Sequence, residues 1–399
     1  PDTNIMPKQS LTLKSQQEFN CLAGDCPDHC CGQWLVILSR ETIEHWKQIE
    51  PPSLREHFMQ RIVSIDVDGK TKQALAKNEN NDCANLTDDG LCELQSSCGH
   101  DMLPGTCQDF PRLRIENEWR IFDTTELSCP EIARLLVESD ACELIGQQQS
   151  SHVYSNPVTE ITRSLDDLFN LVYAENKYPL NIRIYYLGSK ILNLLQTFEE
   201  VGVQPYLLNF PRKQIRNELY QCRLLEKNGK IKVTSENAKR FWKLAIEMLG
   251  DIEDLGLPGI DRDNHLVNQI FTDKIDTAAL YNRILDLRSE VANDVRLGYR
   301  PVMEKYVPVL FMNRGLPWNP VAQNLIATFI NAAIPLALVH LLLWINYRSH
   351  SRMDSDFLQQ VIYKIERRLK HTTTLYDRLE GELSLLEIHR NPEFYLEIA

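Results

Sequence analysis

The sequence predicts a mainly α-helical protein, in which an irregular, cysteine-rich amino-terminal region packs on an all-α domain. Ten of the 11 cysteines precede residue 145, and only Cys222 follows it. Proline and glycine interrupt the first region repeatedly, whereas apolar residues recur at helical spacing after Cys129. We therefore predict a metal or iron–sulfur domain over residues 1–145 and a helical domain, for substrate or cofactor binding, over residues 150–399.

One helix is expected within the first region. Ser39 is a good N-cap residue, and Ile43, Trp46 and Ile49 follow at helical spacing before the Pro51–Pro52 pair ends the pattern. Elsewhere in this region we expect bonds to metal to replace a hydrophobic core.

The second region reads as a series of helices. Pro130 suits a first helical position, and Cys129 precedes it as the cap. Strand-like alternation is limited to Lys230–Thr234, and the polar stretch Gly146–Ser155 marks the domain boundary. Further helices are indicated by these apolar sets: Leu165, Leu168, Phe169 and Val172; Ile191, Leu194 and Leu195; Phe241, Leu244, Ile246 and Met248; Ile284, Leu285 and Leu287.

The segment Leu325–Ile345 is nearly all apolar and has the length of a membrane span. Asn331, Pro335 and His340 interrupt it, and such groups are easier to satisfy in a protein core than in lipid. We predict a buried helix, the central element of the helical domain, and no membrane partner.

The net charge of −12 lies entirely in the first region. Residues 1–145 contain 13 Lys and Arg against 25 Asp and Glu. Residues 146–399 contain 30 basic and 30 acidic side chains, so their charges balance. Such a surface repels phosphate backbones and attracts cationic partners. Nucleic acid is therefore excluded as a partner.

The cysteines have two interpretations. A disulfide framework belongs to short secreted chains, but residues 1–19 are polar and contain no apolar stretch typical of a signal peptide. We therefore expect a cytoplasmic protein whose cysteines bind metal.

The spacing of the cysteines supports metal binding. Thiolates are soft donors for zinc and for iron–sulfur clusters, and four of them complete either kind of centre. The spacing does not decide between the two. Cys30 and Cys31 are adjacent, so we expect their side chains to point apart. Cys129 at a helix amino terminus should have its thiolate favoured by the helix dipole. The candidate ligands are Cys21, Cys26, Cys30, Cys31, Cys83, Cys92, Cys107 and Cys129.

The other candidates have ordinary interpretations. Cys142 and Cys222 lie within helical patterns and are expected to be packed thiols, while Cys98 is ambiguous. His29 and His100 lie near the cysteines without being predicted as ligands.

The motifs of residues 19–136 resemble the flagellin lysine N-methylases, and their cysteines resemble the wider iron- or zinc-chelating eight-cysteine domain. A looser similarity runs from Glu304-Lys305-Tyr306 to Leu316-Pro317. The residues that carry the resemblance are Phe19-Asn20-Cys21, Cys26-Pro27-Asp28-His29-Cys30-Cys31-Gly32-Gln33-Trp34, Asp82-Cys83, Gly90-Leu91-Cys92, Leu103-Pro104-Gly105-Thr106-Cys107-Gln108-Asp109-Phe110-Pro111-Arg112 and Leu127-Ser128-Cys129-Pro130-Glu131.

The resemblance implies transfer of methyl groups from S-adenosylmethionine to surface lysines of flagellin. It also implies a four-iron four-sulfur cluster, with zinc as the alternative, bound by four of the eight matched cysteines. The chain departs from two common patterns: it has no glycine-rich turn after a strand, and it has no Cys-xxx-Cys-xx-Cys run. Neither pattern therefore gives the site of S-adenosylmethionine.

Two residues are candidates for that site. Arg112 can hold the carboxylate of S-adenosylmethionine by a bidentate contact, and Trp34 can stack on its adenine. No catalytic residue is predicted. The candidates for docking the target lysine are the acidic residues next to the cysteines, which are Asp25, Asp28, Asp101 and Asp109. The rival interpretation is a non-catalytic protein-binding module, in which a zinc or iron site is purely structural.

Overall fold

A computed structural model of the chain describes residues 9–32, 34–67, 69–116, 120–145, 157–202, 205–231, 235–271, 276–291, 293–314, 322–350 and 354–370. Within these residues the protein is mainly α-helical, as predicted, with some β-structure in its amino-terminal third.

The helices of the described residues are α1 (Ser15–Glu18), α2 (Arg40–Trp46), α3 (Pro52–Met59), α4 (Glu93–Cys98), α5 (Gly105–Asp109), α6 (Pro130–Glu138), α7 (Pro157–Tyr173), α8 (Leu180–Val201), α9 (Arg212–Lys227), α10 (Ser235–Leu249), α11 (His265–Ile270), α12 (Thr277–Glu290), α13 (Asn293–Asn313), α14 (Ala322–His350) and α15 (Ser355–Lys370). The strands are β1 (Gln9–Leu13), β2 (Ile62–Val67), β3 (Lys70–Leu75), β4 (Arg112–Glu116), β5 (Arg120–Thr125) and β6 (Leu144–Ile145).

The amino-terminal third is more regular than the sequence suggested. Four strands form a sheet in the order β4-β5-β1-β6, and β2 pairs with β3 in a separate antiparallel hairpin. Within the sheet, β1 runs parallel to β5, while β4 is antiparallel to β5 and β6 is antiparallel to β1. The prediction of an irregular region is therefore wrong in this part, because the pairing joins short segments about 110 residues apart, which local patterns do not reveal.

Side-chain alternation explains how the sheet joins the helices. Leu11 and Leu13 of β1 and Phe122 of β5 are buried in the main hydrophobic core, which continues through the helices from α6 to α15. A second, smaller core lies under the cysteine-bearing loops and contains Trp46 and Phe58. The expectation that metal bonds replace a core is therefore wrong, since this region buries apolar side chains of its own.

The predicted helix starts are confirmed. Ser39 caps α2, its hydroxyl accepting a hydrogen bond from the Thr42 backbone N–H at 3.1 Å. Cys129 occupies the N-cap position of α6, followed by Pro130 at its first position. The apolar sets from Leu165 to Leu287 fall on α7, α8, α10 and α12, which explains why the helical period was readable there.

Helix α14 is the apolar segment that resembles a membrane span. Residues 330–350 have a mean hydropathy of 1.6 in their most apolar window, of which 94% is buried inside the protein. Asn331 and His340 are buried with it, and His340 Nδ1 lies 2.9 Å from the Leu336 carbonyl oxygen. The prediction of a buried helix is confirmed for the side chains that the structure describes.

Some predictions lie on residues outside the described ranges. The boundary segment Gly146–Ser155 is outside them. Residues 232–234 of the predicted strand and the Leu316-Pro317 part of the family segment are outside them as well. The division into residues 1–145 and 150–399 stays a prediction.

A buried ion pair fixes α15 against α13. The Glu366 carboxylate accepts hydrogen bonds from Arg314 at 2.9 Å and from the Tyr306 hydroxyl at 2.8 Å. The Arg314 and Glu366 side chains are only 7% and 5% exposed. Burial, together with the Glu366 charge, raises the pKa of Tyr306 well above its usual value, so Tyr306 stays a neutral donor.

Breaking this pair should destabilise the protein strongly. We expect Arg314→Met to lower the free energy of unfolding by about 3 kcal/mol, because the Glu366 carboxylate stays buried without its cation. Arg348→Met is the control, since Arg348 and Glu290 form an exposed pair, 55% and 48% accessible, and should cost about 1 kcal/mol or less. Urea unfolding measures both, and equal losses would contradict the assignment.

Candidate functional site

The sheet brings three distant cysteines to one edge. Since β1 and β5 are parallel, the chain leaves both strands at the same edge, toward Cys21 and Cys129 respectively. Strand β4 is antiparallel to β5, with Arg112 opposite Thr125, so the chain enters β4 at that edge directly after Cys107. The Ser15 and Thr125 hydroxyls, 2.8 Å apart and buried, join the two strand ends.

Backbone contacts place the other cysteines nearby. The Cys83 N–H donates to the Cys31 carbonyl at 2.8 Å, and Cys92 forms a bridge with Leu86. Gly90 has a φ of +72°, and a Cβ there would lie 2.7 Å from the His29 ring. The loop before Cys92 therefore packs closely on the loop that carries Cys30 and Cys31, at a position that requires glycine.

Five of the eight candidate ligands line one cavity of about 270 Å³. The other three, which are Cys31, Cys83 and Cys92, belong to the second core or pack against it. Both predicted cofactor-binding residues also line the cavity. Its wall includes Phe19, Cys21, Cys26, Asp28, Cys30, Trp34, His100, Cys107, Phe110, Arg112, Cys129, Glu131 and Arg367.

Cys30 and Cys31 lie in a turn, with Cys30 on the cavity wall and Cys31 packed against the second core. The expectation that their side chains point apart stays a prediction. The Cys31 thiol as donor lowers the pKa of Cys30 to about 7, assisted by the Arg367 charge and opposed by burial. Donation to Cys30, together with burial, raises the pKa of Cys31.

At Cys107 and Cys129, burial is the largest influence on the pKa of the thiol. It raises the pKa of Cys107 to about 12 and that of Cys129 also to about 12. The N–H groups of Ile132 and Glu131 favour the Cys129 thiolate, as expected at a helix amino terminus. The expectation of a thiolate favoured overall is nevertheless wrong for the metal-free thiol, since desolvation outweighs these donors.

Arg112 and Trp34 lie on aromatic neighbours. The Arg112 guanidinium stands 5.0 Å from the centroid of the Phe19 ring. Trp34 meets Phe110 edge to face, with centroids 4.9 Å apart, and the Arg367 guanidinium lies 4.9 Å from the Trp34 ring. The structure thus places both predicted residues at the cavity, while their roles stay predictions.

The sequence interpretation missed Arg367. It comes from α15, far along the chain, and its guanidinium forms an ion pair with Asp28. No spacing relates it to the cysteines, and the only local signal was a pair of arginines at the end of an amphipathic helix. Asp28, proposed for docking lysine, is therefore already held by an arginine.

The remaining cysteines lie elsewhere. Cys142 and Cys222 are partly buried against the main core, and Cys98 packs against the second core. Burial raises the pKa of Cys142 to about 12 and that of Cys222 to about 11, as for packed thiols.

The donor set suits a soft metal centre, but it is not a closed cage for one ion. All the cysteines are free thiols, and the cavity walls supply five of them. Among the residues that the structure describes, no group of three or more His, Cys, Asp or Glu side chains could hold a metal ion as they stand. The residues fit a thiolate-bound centre only in their chemistry and in lining one cavity, and the ligand set stays a prediction.

A larger cavity, of about 1320 Å³, lies against α7, α13 and the β1–β6 part of the sheet. Its charged side chains include Arg120, which pairs with buried Asp166, and Glu304, which pairs with Arg183. Burial raises the pKa of Asp166 to about 6 despite Arg120. None of the eight candidate ligands lines this cavity. Its wall carries charges of both signs, so it favours neither a cationic nor an anionic ligand.

Comparison with curated proteins identifies relatives from Salmonella. The chain is 28% identical to the flagellar biosynthetic protein FliU of Salmonella muenchen over 137 residues, which are 33% of the chain and 79% of that protein. It is 28% identical to the lysine-N-methylases of Salmonella typhimurium and Salmonella choleraesuis over 189 residues, which are 46% of the chain. The match also covers 46% of each methylase, so the chain spans about half the length of these relatives.

No family model matches the chain, and no solved structure matches it. The names of these sequence relatives agree with the family resemblance that the cysteine motifs predict, which is thereby confirmed. The chain is similar to lysine-N-methylases over about half of their length.

Proposed function

We propose that the protein transfers methyl groups from S-adenosylmethionine to lysine side chains on the surface of flagellin, in the cytoplasm, with a four-iron four-sulfur cluster bound by its cysteines. The observation that carries the proposal is the convergence of Cys21, Cys26, Cys30, Cys107 and Cys129 on one cavity. Similarity to proteins named lysine-N-methylase and flagellar biosynthetic protein supports methylation of lysine and a flagellar substrate.

The choice of a cluster over zinc rests on the family resemblance of the cysteine motifs, because four thiolates complete either kind of centre. Five thiols line the cavity of about 270 Å³. We assign the ligands to four of these five cysteines, with zinc as the alternative.

The cavity also offers contacts to S-adenosylmethionine. When bound, a cluster of this kind supplies a redox-active centre beside the donor. Arg112 is assigned to the carboxylate of S-adenosylmethionine, because a guanidinium binds carboxylates bidentately. Trp34 is partly buried and forms an aromatic wall for the adenine.

The target lysine must lose a proton before it accepts a methyl group. A free lysine has a pKa of about 10.4, so at pH 7 the site must desolvate the amine or supply a base. Two carboxylates at the cavity are held by arginines, Asp28 by Arg367 and Glu131 by Arg134. We assign the proton acceptor to His100, which also lines the cavity, because imidazole is the commonest acid–base group in enzymes.

The acidic surface of residues 1–145 suits a lysine-bearing partner. Its excess of 25 acidic over 13 basic side chains attracts cationic groups and repels nucleic acid. Electrostatic attraction of this kind acts mainly on the association rate and weakens with added salt.

Replacing cavity cysteines should remove the metal. We expect Cys26→Ser, Cys107→Ser and Cys129→Ser to lose most of the iron of the anaerobically purified protein, because each removes a thiolate ligand. Cys142→Ser and Cys222→Ser are the controls, since both thiols lie outside the cavity wall. Metal analysis with visible absorption distinguishes iron–sulfur from zinc, and equal metal in all five variants would refute the ligand assignment.

Methyl transfer is tested directly on flagellin. With S-adenosylmethionine, the metal-replete protein should raise the mass of flagellin by whole methyl groups on lysines, while Cys129→Ser should not. Cys222→Ser should match the unmodified protein. Unchanged flagellin under both oxidised and reduced anaerobic conditions, with no binding of S-adenosylmethionine, would overturn the enzyme assignment in favour of a structural metal site in a protein-binding module.

A further inference from the structure

The last turn of α15 directs one arginine into the cysteine-bearing loop. The Arg367 guanidinium donates hydrogen bonds to the carbonyl oxygens of Asp28 at 3.1 Å, of His29, and of Gly32 at 3.4 Å. It also forms the ion pair with the Asp28 carboxylate. One side chain thus binds both ends of the turn that contains Cys30 and Cys31.

This arginine is enclosed by its partners. Its side chain is 12% exposed, and its guanidinium lies 4.9 Å from the centroid of the Trp34 ring. A planar guanidinium has five N–H donors in a fixed fork, which suits several carbonyl oxygens at once and also an aromatic face. A lysine carries the same charge but cannot reproduce this set of contacts.

The helix that carries Arg367 is fixed independently of the loop. Its neighbour Glu366 is bound by Arg314 and Tyr306 in the main core. Helix α15 also packs on α6, whose N-cap residue is Cys129. Arg367 therefore joins the loop of Cys30 to the same rigid unit that positions Cys129.

Backbone hydrogen bonds also hold the described residues of the loop. The Gly32 N–H donates to His29 at 3.1 Å, the Trp34 N–H donates to Gly32 at 2.7 Å, and the Cys83 N–H donates to Cys31 at 2.8 Å. The carbonyl oxygens of His29 and Gly32 each accept one of these N–H groups and also the Arg367 guanidinium. Arg367 therefore adds a charge-assisted donor to each of them and ties the turn to α15.

We propose that Arg367 is the positioning residue of the cysteine centre, because its contacts with the loop 28–32 fix the thiols of Cys30 and Cys31 relative to Cys129. The part that concerns a metal centre rests on the proposed function. In this role Arg367 acts on the centre through the loop that its guanidinium binds.

Arg368 provides a matched control on the same helix turn. Its guanidinium donates to the Leu249 carbonyl at 3.0 Å and to Asp254 at 3.1 Å, away from the cysteines. Arg368→Met therefore removes an equal charge and several hydrogen bonds without touching the loop.

The test compares Arg367→Met, Arg367→Lys and Arg368→Met in anaerobically purified full-length protein. Hydrogen exchange reports on the amides of Gly32, Trp34 and Cys83, and a chelator reports on the rate of metal release. We expect Arg367→Met to speed amide exchange and metal release by about tenfold or more, since it removes several charge-assisted hydrogen bonds. Arg367→Lys should show a smaller effect, because it keeps the ion pair with Asp28, and Arg368→Met should match the unmodified protein.

The outcomes separate the two proposals. Unchanged exchange of the loop amides in Arg367→Met would overturn the positioning role, whatever the metal content. Faster exchange with unchanged metal release would overturn the link between the loop and the centre. If the unmodified protein binds neither iron nor zinc, the proposed function fails, while loop exchange still decides whether Arg367 positions the two thiols.

Discussion

The parallel pairing of β1 with β5 is the constraint on which the rest of the site depends. It joins residues about 110 positions apart and makes the chain leave both strands at one edge, where β4 also begins. Cys21, Cys107 and Cys129 meet there although they are distant in sequence. A buried contact between the hydroxyls of Ser15 and Thr125 closes this edge at the strand ends.

The cysteine cavity lies between two hydrophobic cores. The smaller core holds the loops of Cys31, Cys83 and Cys92 around Trp46 and Phe58, while the sheet and α6 belong to the main core of the helices. Ligands drawn from both sides would therefore couple the two cores, which is how a bound metal adds to stability. Arg367 makes the same connection through hydrogen bonds, and Glu366 fixes the helix from which it extends.

The sequence was informative where structure is local. The helix starts at Ser39 and Pro130, the apolar stripes of the later helices and the burial of α14 follow from spacing within a few turns. The cysteine spacing and motifs indicated the family and the residues that would gather. The sheet could not be predicted, because its strands are short and its central pairing is non-local. Arg367 could not be predicted either, since its contacts with Asp28 and Gly32 depend on how α15 packs. The burial that raises the pKa of Cys129 likewise depends on tertiary packing.

The central claim is that the cysteines at this edge bind an iron–sulfur centre. X-ray absorption at the iron and zinc edges of anaerobically purified protein tests it most directly, because the method reports which atoms surround each metal. We predict iron with a shell of sulfur neighbours and further iron atoms beyond it. Iron bound mainly by nitrogen or oxygen, or zinc alone in a four-sulfur shell, would contradict it.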